Sequence, residues 1–247
     1  MPGPTRTILT GISALRAGGS TNVTRTTNAR IAGFTFLAYI AAGITSMVLF
    51  GQATSAKGIA AKLAGIAQHT TGVGIVILLD LVQCFSALVL AVTLYAITRE
   101  QDPDLAMLGM VCRVGEGLLG ATGIPSTLAL VWLATATGAD APDTGATHAL
   151  GAYLLQGSVA FTATFFAVGS TIFSYLLLRG RMIPIPLAWL GVVASVLLVV
   201  ALPLQVAGFL HGRLISLEWL PMLAFEVPLA LWLLIKGVAA PARTQSV

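Results

Sequence analysis

Apolar positions along this chain fall in long runs separated by short polar connections, rather than alternating over a few residues. The runs cover 31–50, 73–98, 105–136, 149–178, 185–206 and 217–236. At a rise of about 1.5 Å per residue, each is long enough to cross the roughly 30 Å hydrocarbon layer of a bilayer. The pattern therefore predicts an all-α fold, a polytopic membrane helical bundle with about six transmembrane helices. The third and fourth runs exceed what a perpendicular crossing needs, which allows tilt or an extension beyond the lipid. Residues 1–30 are rich in Thr, Gly and Arg and have no apolar core of signal-peptide length, so they read as a mobile cytoplasmic tail. The six-span domain is then 31–238, with a short cytoplasmic tail at 239–247. Between the first two runs, Ile59, Leu63 and Ile66 share one helical face while Lys57 and Lys62 lie elsewhere, the spacing of a helix resting on a membrane surface. No internal repeat is visible, although a three-plus-three inverted pair would suit the topology.

Composition agrees with lipid as the solvent. Of 247 residues, 57% are hydrophobic and 9% charged, against about 25% charged in soluble domains, so collagen, coiled coil and disordered chain are excluded. The net charge of +4 comes from Lys and Arg scattered among the connections rather than gathered in a stripe, which excludes a nucleic-acid partner. Arg6, Arg16, Arg25, Arg30, Arg99, Arg179, Arg181, Lys236 and Arg243 fall on one side of the predicted topology, against Lys57, Lys62 and Arg213 on the other. The positive-inside rule then places both termini in the cytoplasm, for a multi-pass protein of the cell inner membrane. Trp189, Trp219 and Trp232 stand near run ends, where interfacial aromatic rings collect. Cys84 and Cys112 lie inside apolar runs and read as small core residues.

Four ionisable residues sit within the runs: Asp80, Arg113, Glu116 and Glu226. Counted from the run starts, they fall about 10–18 Å below the outer surface, in one slab. A lone charge at that depth costs about 2.5–3.5 kcal/mol to insert, so they are expected to face inward and pair. Arg113 and Glu116 are three residues apart, on one helical face. Three carboxylates against one guanidinium leave a surplus of negative charge, so at least one of the acids is expected to carry a proton. A proton-carrying acid in a dry cavity is a general acid, or an element of a proton-coupled transporter; it is equally a polar contact between helices.

The expected catalytic residues are Glu116 and Glu226, with Asp80 as base or charge stabiliser. Arg113, Gln83 and Gln156 are the expected binding residues. Asp80, Gln83, Cys84, Ala87 and Ala91 share one face of the second run; Tyr153, Gln156, Ala160, Ala163, Ala167, Ser170 and Ser174 share one face of the fourth. Pro125, Pro203 and Pro228 fall inside runs, where they kink a helix or free carbonyls into a cavity. His69, His148 and His211 are expected at the outer surface near Asp140, Asp143 and Glu218, without the spacing of a zinc site. With no nucleotide loop, nucleophile elbow or haem motif either, no metal and no cofactor are expected. Asn22-Val-Thr24 matches a glycosylation sequon on the predicted cytoplasmic tail and is set aside.

The stretches ARIAGFTFLAYIAAGI (29–44), LDLVQCFSALVLAVTLYAI (79–97), MVCRVGEGLLGA (110–121) and FEVPLALWLLIKGV (225–238) resemble a bacterial integral-membrane family, domain of unknown function 4386. The resemblance rests on Arg30, Ala32 and Gly33, on Asp80 and Tyr95, on Arg113 and Glu116, and on Glu226, Leu231, Trp232, Lys236 and Gly237. It covers most of 29–238 and implies a multi-pass membrane protein, without supplying an activity. The family's Asn-His element is missing from its place at Gln156 to Ser158. In site chemistry alone, the intramembrane acids are also similar to those of small membrane-embedded terpene cyclases, which implies an acid-dependent cyclase or isomerase.

Three functions stay open at this stage. The first is an intramembrane enzyme or binder that acts on a lipophilic, isoprenoid- or lipid-like small molecule by general acid chemistry. The second is a proton-coupled transporter or channel using the same acids, and the third a structural membrane protein. Membrane lipid is a partner in each.

Overall fold

The computed structural model describes residues 5–138, 141–156, 159–210 and 217–240, with side chains from residue 24 onward except Val159. Among the described residues the regular elements are all helices: α1 (Thr5–Ala53), α2 (Ile59–Gln68), α3 (Thr70–Thr98), α4 (Pro103–Ala121), α5 (Gly123–Thr135), α6 (Thr144–Leu155), α7 (Val159–Arg179), α8 (Ile185–Val206) and α9 (Leu220–Ile235). Helix is forced on these segments because a bilayer offers their N–H and C=O groups no outside partner. Hydroxyls inside the spans are satisfied the same way: Thr93, Thr98, Thr164, Thr171 and Ser195 each donate to the carbonyl one turn back.

Among the described residues, five stretches are long and apolar enough to cross a membrane: Thr24–Ala53, Thr70–Thr98, Pro103–Thr135, Thr144–Arg179 and Ile185–Val206. The sixth expected span is represented by α9, whose 16 residues reach about 24 Å. The segment read as a tail is already helical from Thr5, upstream of the stretch suited to lipid. Two of the expected spans are broken. The third divides at Thr122 because Pro125 has no N–H to give the carbonyl of Ala121 and its ring crowds that carbonyl. The fourth divides after Leu155, at Gln156.

Six helices form a closed ring. α1 packs on α3, α3 on α4, α4 on α7, α7 on α8, α8 on α9, and α9 returns to α1. The ring interior is a continuous apolar core that includes Phe36, Leu90, Phe166, Leu198 and Leu229. Outside, Phe34, Leu78, Phe85, Leu118 and Val193 are all more than half exposed, a surface tolerable only in lipid. Close approach of α1 and α9 depends on Gly33, where a Cβ would lie 2.6 Å from Ala230 O and Leu234 N.

One end of the ring is pinned by charge. Arg25 of α1 pairs with Glu100, and Arg179 of α7 reaches Asp102 at 3.3 Å. Asp102 also caps α4 by accepting from the N–H of Leu105 at 3.1 Å. The opposite end carries a smaller apolar cluster of Ala53, Leu63, Ile66, Val73, Leu130 and Leu133. α2 thus exists where the apolar spacing placed it, but its face is spent on α5 and α6 rather than on the lipid surface.

Candidate functional site

Four ring helices send polar or aromatic side chains to one place in the interior. Arg113 and Glu116 come from α4, Tyr39 from α1, Phe166 from α7 and Glu226 from α9. The three charged residues are almost entirely removed from the surface: Arg113 is 1% exposed, Glu116 4% and Glu226 6%. The i,i+3 spacing sets Arg113 Nη1 at 2.9 Å from Glu116 Oε2. The contact is an ion pair by distance, but it lacks the alignment of a hydrogen bond, and both atoms remain without one. On its other oxygen, Glu116 Oε1 accepts from the Tyr39 hydroxyl at 2.6 Å. This bond crosses the ring, since α4 packs on α3 and α7 while α1 packs on α3 and α9.

The guanidinium is held between two rings. Its carbon lies 5.7 Å from the Tyr39 ring centre and 5.0 Å from that of Phe166, an arrangement worth about 0.5–2 kcal/mol per ring. Room for the Arg113 stem exists because position 169 is glycine; a Cβ there would stand 3.2 Å from both Cγ and Cδ. Glu226 lies within electrostatic reach of Arg113 and Glu116. Its Oε1 is buried with no hydrogen-bond partner, as are Arg113 Nε and Nη2. Buried polar groups are nearly always hydrogen-bonded, so this unused capacity is the distinguishing feature of the centre.

A family model for domain of unknown function (DUF4386) matches residues 31–237. The chain belongs to that family. No curated protein and no solved structure matches it. All five side chains of the buried centre in this DUF4386 chain lie inside the matched region.

The remaining expected site residues stand elsewhere. Asp80 accepts from Ser46 Oγ at 2.8 Å and from Gln83 Nε2 at 3.3 Å. Ser46 is seven residues beyond Tyr39 on α1, so this partly buried group sits about 10 Å further along the bundle. The single slab expected from sequence is two levels, because run starts are a poor ruler once helices extend and break. Gln156 is exposed at the end of α6, and Tyr153 is 75% exposed. Ala160, Ala163, Ala167, Ser170 and Ser174 of the same expected face are buried. Ala87 and Ala91 are buried too, and Gly117 of α4 lies close to Ala87 and the Cys84 carbonyl, so that face of α3 is a close helix contact.

His211, Asp140 and Arg213 lie outside the described residues, as do 241–247. Among the described residues no three His, Cys, Asp or Glu side chains gather. Tyr39 and Phe166 were missed by sequence reasoning. For Tyr39 a signal existed, as it is the one tyrosine of the first span and shares a helical face with Gly43 and Ser46.

Proposed function

We propose that this is a six-span protein of the cell inner membrane, both termini cytoplasmic, that binds the polar head of a lipophilic small molecule at the Arg113–Glu116–Glu226 centre and transfers a proton to it. The observation that carries this reading is the unfilled hydrogen-bonding capacity of Arg113 Nε and Nη2 and of Glu226 Oε1 in the buried interior. A hydroxyl, carbonyl or carboxyl at the end of an apolar molecule would supply the acceptor and donor these atoms lack. Glu116 is already balanced by Arg113 and Tyr39, so Glu226 is the acid left to carry the mobile proton. It gives that proton to the guest, becomes a carboxylate facing Arg113, and regains it when the guest leaves or rearranges.

A lipid-facing groove on the same stretch of α1 as Tyr39 supports the same reading. A groove of about 530 Å³ between α1 and α3 is lined by Phe34, Thr35, Ala38, Phe85, Ser86 and Val89, among others. Ala38 and Thr35 are one and four residues before Tyr39, and Phe34 and Phe85 are open to lipid. A second reading, a proton path, is favoured by Asp80, Ser46 and Gln83 continuing the polar file toward one end.

The test is organic extraction and mass spectrometry of molecules that copurify with wild type, Arg113→Met and Glu226→Gln. Wild type is expected to retain a polar-ended lipophilic molecule that Arg113→Met loses. Glu226→Gln should retain it unconverted. Equal retention by wild type and Arg113→Met would refute binding at this centre. Proton flux into dye-loaded proteoliposomes that disappears in both Glu226→Gln and Asp80→Asn would instead establish the proton path.

A further inference from the structure

At the charge-pinned end of the ring, two helix C-termini are joined. α7 ends at Arg179 and turns through Gly180 and Arg181, with the Met182 N–H returning to Leu177 O at 3.0 Å. α9 ends with the N–H groups of Lys236 and Gly237 both on Trp232 O, at 2.8 and 3.1 Å, and Gly237 at φ +73°. The Ala239 N–H then donates to Met182 O at 3.0 Å and ties the caps together. Between them lies a cavity of about 440 Å³ whose lining includes Arg181, Met182, Pro184, Trp232, Lys236 and Gly237.

We propose that this cavity holds the phosphate of an anionic phospholipid, with Arg181 and Lys236 as its paired cations. Charge bookkeeping separates this from simple helix capping. Two C-termini present about −0.5 each, against two full positive charges, and the α8 N-terminus beginning at Ile185 adds about +0.5. A positive surplus therefore faces the cavity, and no acidic side chain lines it. The acids in the connection before α4 are committed: Glu100 to Arg25, and Asp102 to Arg179 and the α4 cap. Among the described residues, Arg181 and Lys236 form no ion pair and are exposed.

The backbone at Arg181 points the same way. It is the one non-glycine among the described residues with positive φ, +49°, at a cap position where glycine fits without penalty. Strain kept at an arginine is explained by what the guanidinium binds. A lipid is favoured over a soluble phosphate by the flanks, since Ile185 is 48% and Ile235 67% exposed beside the cavity, where acyl chains would lie. Basic pockets between transmembrane helices are a recurring form of headgroup site. This proposal rests on the fold alone and is independent of chemistry at the Arg113 centre.

The experiment is native mass spectrometry of the full chain released from nanodiscs containing phosphatidylglycerol and phosphatidylcholine. Wild type should keep phosphatidylglycerol preferentially. The Arg181→Gly, Lys236→Gln double variant should keep it about 30-fold less, the equivalent of roughly 1 kcal/mol per removed cation. Arg181→Gly suits the positive φ, so an unchanged or raised thermal midpoint shows that the fold survived. Equal retention by wild type and double variant, or equal retention of both lipids by wild type, would overturn the proposal. Displacement of the lipid by inorganic phosphate at matching concentration would reassign the cavity to a soluble anion.

Discussion

Removing Arg113 tests the buried centre most directly. In Arg113→Leu, Glu116 keeps the Tyr39 hydroxyl but loses its counter-charge at 2.9 Å, in a position 4% exposed. A carboxylate stranded in that way costs about 3–5 kcal/mol. Glu116→Leu strands the cation instead, yet the Tyr39 and Phe166 rings at 5.7 and 5.0 Å remain and offset part of the loss, leaving about 2–3 kcal/mol. With both replaced by leucine no unpaired charge of this pair remains, and the double variant should lose only about 1–2 kcal/mol. The singles together would therefore exceed the double by about 3–7 kcal/mol, the coupling energy of the pair. Unfolding of the four proteins by SDS titration in mixed micelles, followed by circular dichroism, measures this difference. Single losses that add to the double within about 0.5 kcal/mol would mean that the pair carries no coupling and the reasoning fails.

Tyr39→Phe keeps the ring over Arg113 and removes the donor to Glu116, so the same titration should show a loss of about 1.5–3 kcal/mol; a change below about 0.5 would mean the bond contributes nothing. Gly33→Ala should cost about 1–3 kcal/mol because its Cβ would enter the α9 backbone. Gly74→Ala, with nothing within 4 Å, should gain about 0.5–1 kcal/mol; equal effects at the two glycines would contradict the α1–α9 contact. For topology, cysteines introduced near position 10 and in the 137–147 connection, in a chain lacking Cys84 and Cys112, should be protected and labelled respectively by an impermeant reagent added outside. The reverse pattern would invert the orientation.

What could be read from the sequence followed the range of the interactions. Helix content and the bundle architecture follow from run length and low charge, which are local properties. The Arg113–Glu116 contact was legible because both residues share one face of one helix. Tyr39, on the other hand, meets Glu116 from 77 residues away, and nothing in the spacing of α4 announces it. Breaks were half legible: Pro125 marks the one at Thr122, whereas no proline stands near Gln156. Tyr153 and Gln156 are exposed while the small residues that share their register are buried, a difference the register alone does not carry. Asp80 was assigned to one slab with Glu116 because run starts served as the reference, and α1, α3 and α4 all begin before their apolar runs do.

The closing of the ring by α9 against α1 has a consequence for biosynthesis. α1 leaves the ribosome before the helix it packs against, and Gly33 waits for Ala230 and Leu234 while about 200 residues between them are translated. During that interval Arg113 must enter the membrane without Glu226. It does so with Glu116 carried on its own helix and with Tyr39 already inserted, so this buried cation crosses into lipid as part of a pair. Glu226 arrives afterwards on α9 and completes the centre.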